Sequence, residues 1–380
     1  MKEQEREPQN LMELLAQIKA AHTPKERYKL YVDRYLEKQA RENGIPFNGQ
    51  FELTPYCNLD CKMCYVHMQR EQLKGQNVLT TQQWKQLMEQ AADAGMRRAV
   101  MTGGECLTYE GFDELYLYLQ ARGIEIQVYT NGILLTDERI RFFQKNMPAG
   151  IQISVYGSDE DGYERVAGRR AYHKVMRNIE HARQAELPIR IAVTPSASMG
   201  ADAERLIRKL KERKLPYQIN NAIYEPRTET GRDGEAHEIS EEEYIRLFRL
   251  DAQLAGTVLV RTREEELPKL PQEKGITNGI RCAAGRSSFH INWKGQLSAC
   301  DVLEGSRPEP LQEGFTASWE QIHKEATEYP SPVKCGQCAY RDVCRSCPAQ
   351  HRQSGAEPGT CSQAVCDRTR RYAAEGLVRL

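Results

Sequence analysis

The chain has 380 residues, 53 Lys and Arg against 53 Asp and Glu, and a mean hydropathy of −0.68. That balance removes the global field that would argue for nucleic acid or an anionic membrane as partner. The charged opening MKEQEREPQNLMELL holds no apolar run for export or for crossing a bilayer, so a cytoplasmic protein is expected, and its 12 Cys point to metal or catalysis rather than disulfides.

Residues 1–50 read as a helical segment. Leu11, Leu14, Leu15 and Ile18 share one face, and Thr23-Pro24 offers an N-cap and a first-turn proline. Tyr28, Tyr31, Val32, Tyr35 and Leu36 follow at helical spacing as a packing face, and Gly44 and Pro46 stop the pattern. From Phe51 short strand-like runs alternate with amphipathic helices: residues 51–54, 98–102, 124–130, 151–156, 189–194 and 217–223. Trp84, Leu87, Met88, Ala91 and Ala92 mark the buried face of one intervening helix. Six such units predict an α/β fold of parallel strands, an open or partial barrel, with functional loops at the strands' carboxyl ends.

The polar motifs obey that rule. Cys57, Cys61 and Cys64, spaced C-x3-C-x2-C, follow the first strand; Gly103, Gly104 and Glu105 follow the second; Thr130 and Asn131 end the third, and Ser154 ends the fourth. A cubane iron–sulfur cluster normally takes four thiolates. Three at this spacing, with no fourth nearby, leave one iron free for a ligand that is not protein. Cys106, after the GGE, reads as a small buried apolar residue.

These residues resemble the radical S-adenosylmethionine (SAM) superfamily over roughly residues 50–225. The resemblance implies a partial (β/α)6 barrel and a [4Fe-4S] cluster whose free iron chelates the amino and carboxylate groups of SAM. Reductive cleavage of SAM would then give a 5′-deoxyadenosyl radical that abstracts hydrogen from a substrate. It implies SAM contacts at Gly103, Gly104, Glu105, Thr130, Asn131 and Ser154, with Asn220 a weaker candidate near the adenine. The glycines are expected to let backbone carbonyls approach the ammonium of SAM. Met63 stands where an aromatic residue is frequent in the family, and Cys106 where proline is.

The second half holds Cys282, Cys300, Cys335, Cys338, Cys344, Cys347, Cys361 and Cys366, after a helix at 240–255 and a charged connector at Arg263–Lys274. Residues 288–300 read as a β-hairpin ending at Cys300. The paired CxxC units at 335–347 suit a zinc ribbon as well as clusters. The whole pattern resembles the SPASM extension of radical SAM enzymes, which implies one or two auxiliary [4Fe-4S] clusters. By that resemblance one cluster uses Cys282, Cys300 and Cys347, and the other Cys335, Cys338, Cys344 and Cys366. Cys361 either completes the first or leaves it with an exposed iron. The expected organisation is a helical segment at 1–50, the barrel at 51–235, a helical connector at 236–277 and the auxiliary-cluster domain at 278–380.

His67 and His351 read as structural or surface histidines, with His67 able to tune a nearby cluster; Arg190 reads as an inward or edge residue and Arg169-Arg170 as a solvated loop. Related enzymes with this extension imply a peptide or protein substrate and an electron donor such as flavodoxin or ferredoxin. A small-molecule substrate, or a non-catalytic zinc or iron–sulfur protein, are the alternative readings.

Overall fold

The computed structural model describes residues 24–220, 222–231, 237–256, 279–332, 335, 338–340, 344 and 347–377, with side chains from 32 onward. The helix expected around 11–18, the side chains of Tyr28 and Tyr31, and the connector at 263–274 lie outside the described residues.

Six parallel strands carry the first part of the fold: β1 (Asn48–Glu52), β2 (Arg98–Thr102), β3 (Glu125–Thr130), β4 (Gly150–Ser154), β5 (Ile189–Val193) and β6 (Tyr217–Ile219). They pair in sequence order. Along β2 and β4 every second residue is buried. The buried set, such as Ala99, Met101, Ile151 and Ile153, faces the helices. The partly exposed set in register on the other face is polar, including Gln127, Tyr129, Gln152 and Ser154. A parallel sheet covered on both faces would be apolar throughout. One polar face therefore marks an open lumen, the inside of the expected partial (β/α)6 barrel.

The helices form where the sequence placed them. Helix α1 (Pro24–Glu42) precedes β1; Tyr35 on it is 52% exposed, so within that expected packing face this ring points to solvent. Helix α2 (Thr81–Asp93) starts on a capping box in which Thr80 and Gln83 satisfy each other's backbone N–H groups, and it buries Trp84, Leu87, Met88, Ala91 and Ala92. Helices α3 (Phe112–Ala121), α4 (Asp137–Lys145), α5 (Glu160–Ala167), α6 (Tyr172–Gln184) and α7 (Asp202–Glu212) complete the barrel's outer layer, and α8 (Glu241–Ala255) follows.

The hairpin of the second half is β7 (Ser288–Ile291) and β8 (Leu297–Ser298). It does not stand apart. Strand β7 adds to the free edge of β1 in parallel, so the sheet has eight strands in the order β6-β5-β4-β3-β2-β1-β7-β8. Phe289 makes edge contacts with Phe51 of β1 at 5.9 Å and with Phe315 at 5.0 Å. Phe315 opens α10 (Phe315–Glu328), which follows the short α9 (Pro310–Glu313). Hairpin and barrel thus share one core. A second, smaller core of Ile280, Ala284, Leu303, Ala326 and Ala349 lies under the cysteine-bearing segments, which end in α11 (Pro348–Gln353) and α12 (Gln363–Ala374). No described helix is long and apolar enough to cross a membrane.

Candidate active site at the mouth of the barrel

The loop after β1 carries Cys57, Cys61 and Cys64, and its shape is held by backbone rather than by chance collapse. The last carbonyls of α5 have no partner inside their own helix. Asp60 N–H donates to Ala167 O at 3.0 Å and Lys62 N–H to Val166 O at 3.0 Å, so the helix end grips the middle of the cysteine loop. Cys57 and Cys61 are buried and Cys64 is half-buried. Leu59 N–H, at 3.4 Å, and Asn131 Nδ2, at 3.5 Å, both donate to Cys57 Sγ. Burial, and then the neighbouring Glu105 carboxylate, push the Cys57 thiol up to about 12. A thiol so enclosed gives up its proton readily only to a metal that takes its place.

The GGE turn after β2 is joined to the same loop. Gly104 N–H donates to Thr54 O at 2.7 Å and Glu105 N–H to Tyr56 O at 2.9 Å. Gly103 sits at φ +146°, and a Cβ there would lie 2.4 Å from Thr54 O; one on Gly104 would lie 2.5 Å from the carbonyls of both Pro55 and Tyr56. The sequence offered these glycines as room for a ligand. The structure gives a further reason, the close approach of the cysteine loop's own backbone.

Glu105 turns inward. Its Oε1 accepts from Leu107 N–H at 3.0 Å and Thr130 Oγ1 at 2.8 Å, and its Oε2 from Asn131 N–H at 2.7 Å. Burial pushes its carboxyl up despite these donors. Asn131 Nδ2 continues to Asn58 Oδ1 at 2.7 Å. The three motifs from β1, β2 and β3 are therefore one buried unit, with Glu105, Thr130 and Asn131 all saturated by protein partners. Cys106 is fully buried and its thiol donates to Tyr129 O at 3.2 Å, the small-residue role read from the sequence.

A cavity of about 1330 Å³ opens beside this unit. Its wall includes Cys61, Met63 and Cys64 from the loop, Tyr156 beyond β4, Asn220 beyond β6, and Cys282, Cys344 and Cys347 from the second half. Asn220 Nδ2 donates to Thr194 Oγ1 at 3.0 Å. Ser154, Glu105, Thr130 and Asn131 are not on that wall. His67 is buried, with Nδ1 3.7 Å from the Asp60 carboxylate. His351 is buried too, its Nδ1 accepting from Ser362 N–H at 3.2 Å. Arg190, on β5, is exposed.

Sequence reasoning missed a charged network that ties the two halves together. Arg227 pairs with Glu52 of β1 at 2.8 Å and donates to Asp301 O at 3.1 Å. His290 Nε2 meets Glu52 Oε2 at 3.1 Å, and the Tyr65 hydroxyl donates to Asp301 Oδ2 at 2.5 Å. Partial burial pushes the Asp301 carboxyl up, but His290, Tyr65 and Arg227 hold it below the usual range. The only signals in the sequence were a tyrosine next to Cys64 and an aspartate next to Cys300; their pairing spans 236 positions.

Fold and site together define an α/β-barrel protein with a three-cysteine centre at the barrel mouth. Residues 51–210 match the sequence profile of the Radical SAM superfamily; the chain carries this enzyme domain ahead of a cysteine-rich C-terminal region. It is 24% identical over 326 residues to the AdoMet-dependent heme synthase of Methanosarcina barkeri, covering 79% of this chain and 90% of that protein. It is 25% identical to the sporulation killing factor maturation protein SkfB of Bacillus subtilis over 44% of this chain and 40% of that protein. Among solved structures, Streptococcus suis SuiB superposes with a TM-score of 0.65 at 14% identity, over 93% of this chain and 86% of that one, a likeness of fold.

Proposed function

We propose that the chain cleaves SAM reductively at the Cys57, Cys61 and Cys64 centre and takes a hydrogen atom from a peptide or protein substrate held in the adjoining cavity. The observation that carries this reading is the cavity itself, which joins the triplet to the C-terminal cysteines. The donor set fits a four-iron cluster: two buried thiols and a half-buried third on one loop, N–H groups aimed at Cys57 Sγ, and no fourth cysteine on the loop. Cys57, Cys61 and Cys64 would hold such a cluster, which would supply one-electron cleavage of SAM and a carbon radical able to abstract hydrogen. The chain's own part is to hold geometry. Helix α5 and the GGE turn fix the loop, and Asn131 orients Cys57.

The C-terminal thiols are read as ligands of auxiliary clusters. Among the described residues no three His, Cys, Asp or Glu side chains converge on the tight shell of a single ion, and the reading rests on the number and spacing of the cysteines. The electron that reduces the first cluster is proposed to come from a flavodoxin or ferredoxin. A peptide substrate is supported by the cavity wall: it includes residues of β6, the terminal strand of the sheet. A terminal strand can pair its outer edge with an extended chain. A second reading, a small molecule, is favoured by the match to the heme synthase over 79% of this chain and 90% of that protein, where the match to SkfB covers less than half of either.

The test is anaerobic reconstitution with SAM and a strong reductant, with 5′-deoxyadenosine read by mass spectrometry. Replacing Cys57, Cys61 and Cys64 by Ala should abolish it. Stimulation by candidate peptides supports the first substrate reading; stimulation by haem precursors alone supports the second and sinks the first.

A further inference from the structure

In the parallel ladder of β5 and β6, Ile191 N–H donates to Pro216 O at 2.8 Å and Asn220 N–H to Val193 O at 2.8 Å. Successive residues of a strand present their N–H and C=O to opposite edges, so the groups of Tyr217 and Ile219 point away from β5. β6 is the last strand of the sheet, and among the described residues these four groups have no hydrogen-bond partner. Such an edge is completed only when water or another chain meets it. The side chains of the strand are already committed: the Tyr217 hydroxyl donates to Asp251 Oδ1 of α8 at 2.5 Å, and Gln218 Nε2 donates to Gln152 Oε1 at 3.0 Å inside the lumen. What β6 leaves open is its main chain.

The same strand borders the cavity at the barrel mouth, whose wall includes Gln218, Ile219 and Asn220 together with Cys61 and Cys64 of the first centre. The barrel strands are parallel, so a chain laid along Tyr217 and Ile219 runs on toward the rim on which that centre stands. Helices α8 and α12 contribute Phe248, Val365, Arg368 and Tyr372 to the wall. Arg281 and Arg368 are the only Lys, Arg, Asp or Glu side chains on the described wall. Arg281 Nη1 donates to Cys344 O at 3.3 Å. Arg368 meets Glu241 through Nε alone, at 3.4 Å, and among the described residues its two terminal nitrogens have no partner. A guanidinium fork left open in a cavity without carboxylates favours a carboxylate on the visitor.

We propose that the substrate enters as an extended, acidic stretch of peptide that adds to the outer edge of β6 as a further strand, its main chain bonded to Tyr217 and Ile219 and one of its carboxylates held by Arg368. This deepens the reading of the substrate as a peptide and rests on it. Recognition is divided in two. Main-chain pairing is indifferent to side-chain identity and fixes the register of the segment, while the arginine selects its charge. The edge is what singles out a peptide over a haem precursor, because alternating N–H and C=O groups at strand spacing are complemented by another polypeptide main chain. Side chains of a strand alternate in direction, so every second residue of the added segment faces the lumen.

The experiment uses the full chain, reconstituted without oxygen and saturated with SAM, and short tetramethylrhodamine-labelled peptides of repeating Glu-Thr, Gln-Thr or Lys-Thr, read by fluorescence anisotropy. The Glu-Thr peptide is expected to bind roughly tenfold more tightly than the Gln-Thr peptide, the worth of one charge-assisted pair, and the Lys-Thr peptide more weakly still. N-methylation of one alternate set of nitrogens in the Glu-Thr peptide should abolish binding, and methylation of the other set should spare it, as strand pairing requires. Arg368→Gln should remove the preference for Glu-Thr over Gln-Thr at unchanged iron per chain, and Arg368→Lys should restore part of it. Where Arg368→Gln loses iron, the charge and methylation series on the unreplaced chain decides alone. Equal affinity for the three peptides, an equal effect of the two methylation sets, or no binding overturns the proposal. Failure here is separable from failure of the peptide reading. If a peptide stimulates 5′-deoxyadenosine formation and both of its methylated forms do so equally, the strand pairing falls and the peptide reading stands; stimulation by haem precursors alone sinks both.

Discussion

Glu105 shows how a motif residue can be legible while its work is not. The GGE was visible as a strand-end turn. That its carboxylate gathers Leu107 N–H, Thr130 Oγ1 and Asn131 N–H was not, because two of those partners lie on another strand about a crossover away. Glu105→Ala would leave these donors buried without an acceptor, each costing ~1–3 kcal/mol. Allowing for relaxation, we expect a total loss of about 3 kcal/mol in urea unfolding and weaker iron retention; an unchanged unfolding midpoint would rule out the staple. Glu105→Gln keeps an acceptor but offers an N–H where Asn131 already donates, so a smaller loss is expected.

At the scale of elements, the alternation of strands and helices and the buried face of α2 were readable from periodicity. The edge on which β7 docks was not, since the apolar pattern of a short hairpin says nothing about which sheet it joins. Two elements are testable. In Gly104→Ala the new methyl would meet the carbonyls of Pro55 and Tyr56 at 2.5 Å, so the cysteine loop must shift, and iron bound per chain after reconstitution should fall severalfold while the circular dichroism of the barrel stays. Full iron loading would contradict the proposed docking of that turn on the loop. The first turn of α7 holds Asp202, buried, bonded to Ser158 Oγ at 2.5 Å and to Arg205 at 2.6 Å, with Arg165 alongside. Burial pushes its carboxyl up, but Ser158, Arg205 and Arg165 outweigh it and hold it below the usual range. A depressed carboxyl stabilises the fold above the ordinary Asp value, about 3.9, and loses that contribution as pH falls through its folded value. Asp202→Asn should therefore lower stability by about 1–2 kcal/mol at pH 6. The gap between the two proteins should narrow in thermal melts below about pH 4; a gap independent of pH would show that the charge is not what matters.

For the molecule as a whole, the sequence revealed two cysteine-rich regions and the structure joins them, through one cavity and through the Glu52, Arg227, Asp301 and Tyr65 network. Contacts 236 positions apart carry no local pattern, which is why that network was invisible beforehand. Division of labour follows from this layout. Cys335→Ala or Cys338→Ala should leave SAM cleavage measurable and remove modified product; full product formation by either variant would deny the second half its role. The central claim is a cluster held at three corners by Cys57, Cys61 and Cys64, with SAM on the fourth. It is tested most directly by electron–nuclear double resonance on the reduced, anaerobically reconstituted chain mixed with SAM labelled with 15N at its amino group and 17O at its carboxylate. Couplings from both labels are expected, and they should vanish in the variant with all three cysteines replaced. A reduced cluster whose spectrum ignores labelled SAM would contradict the account.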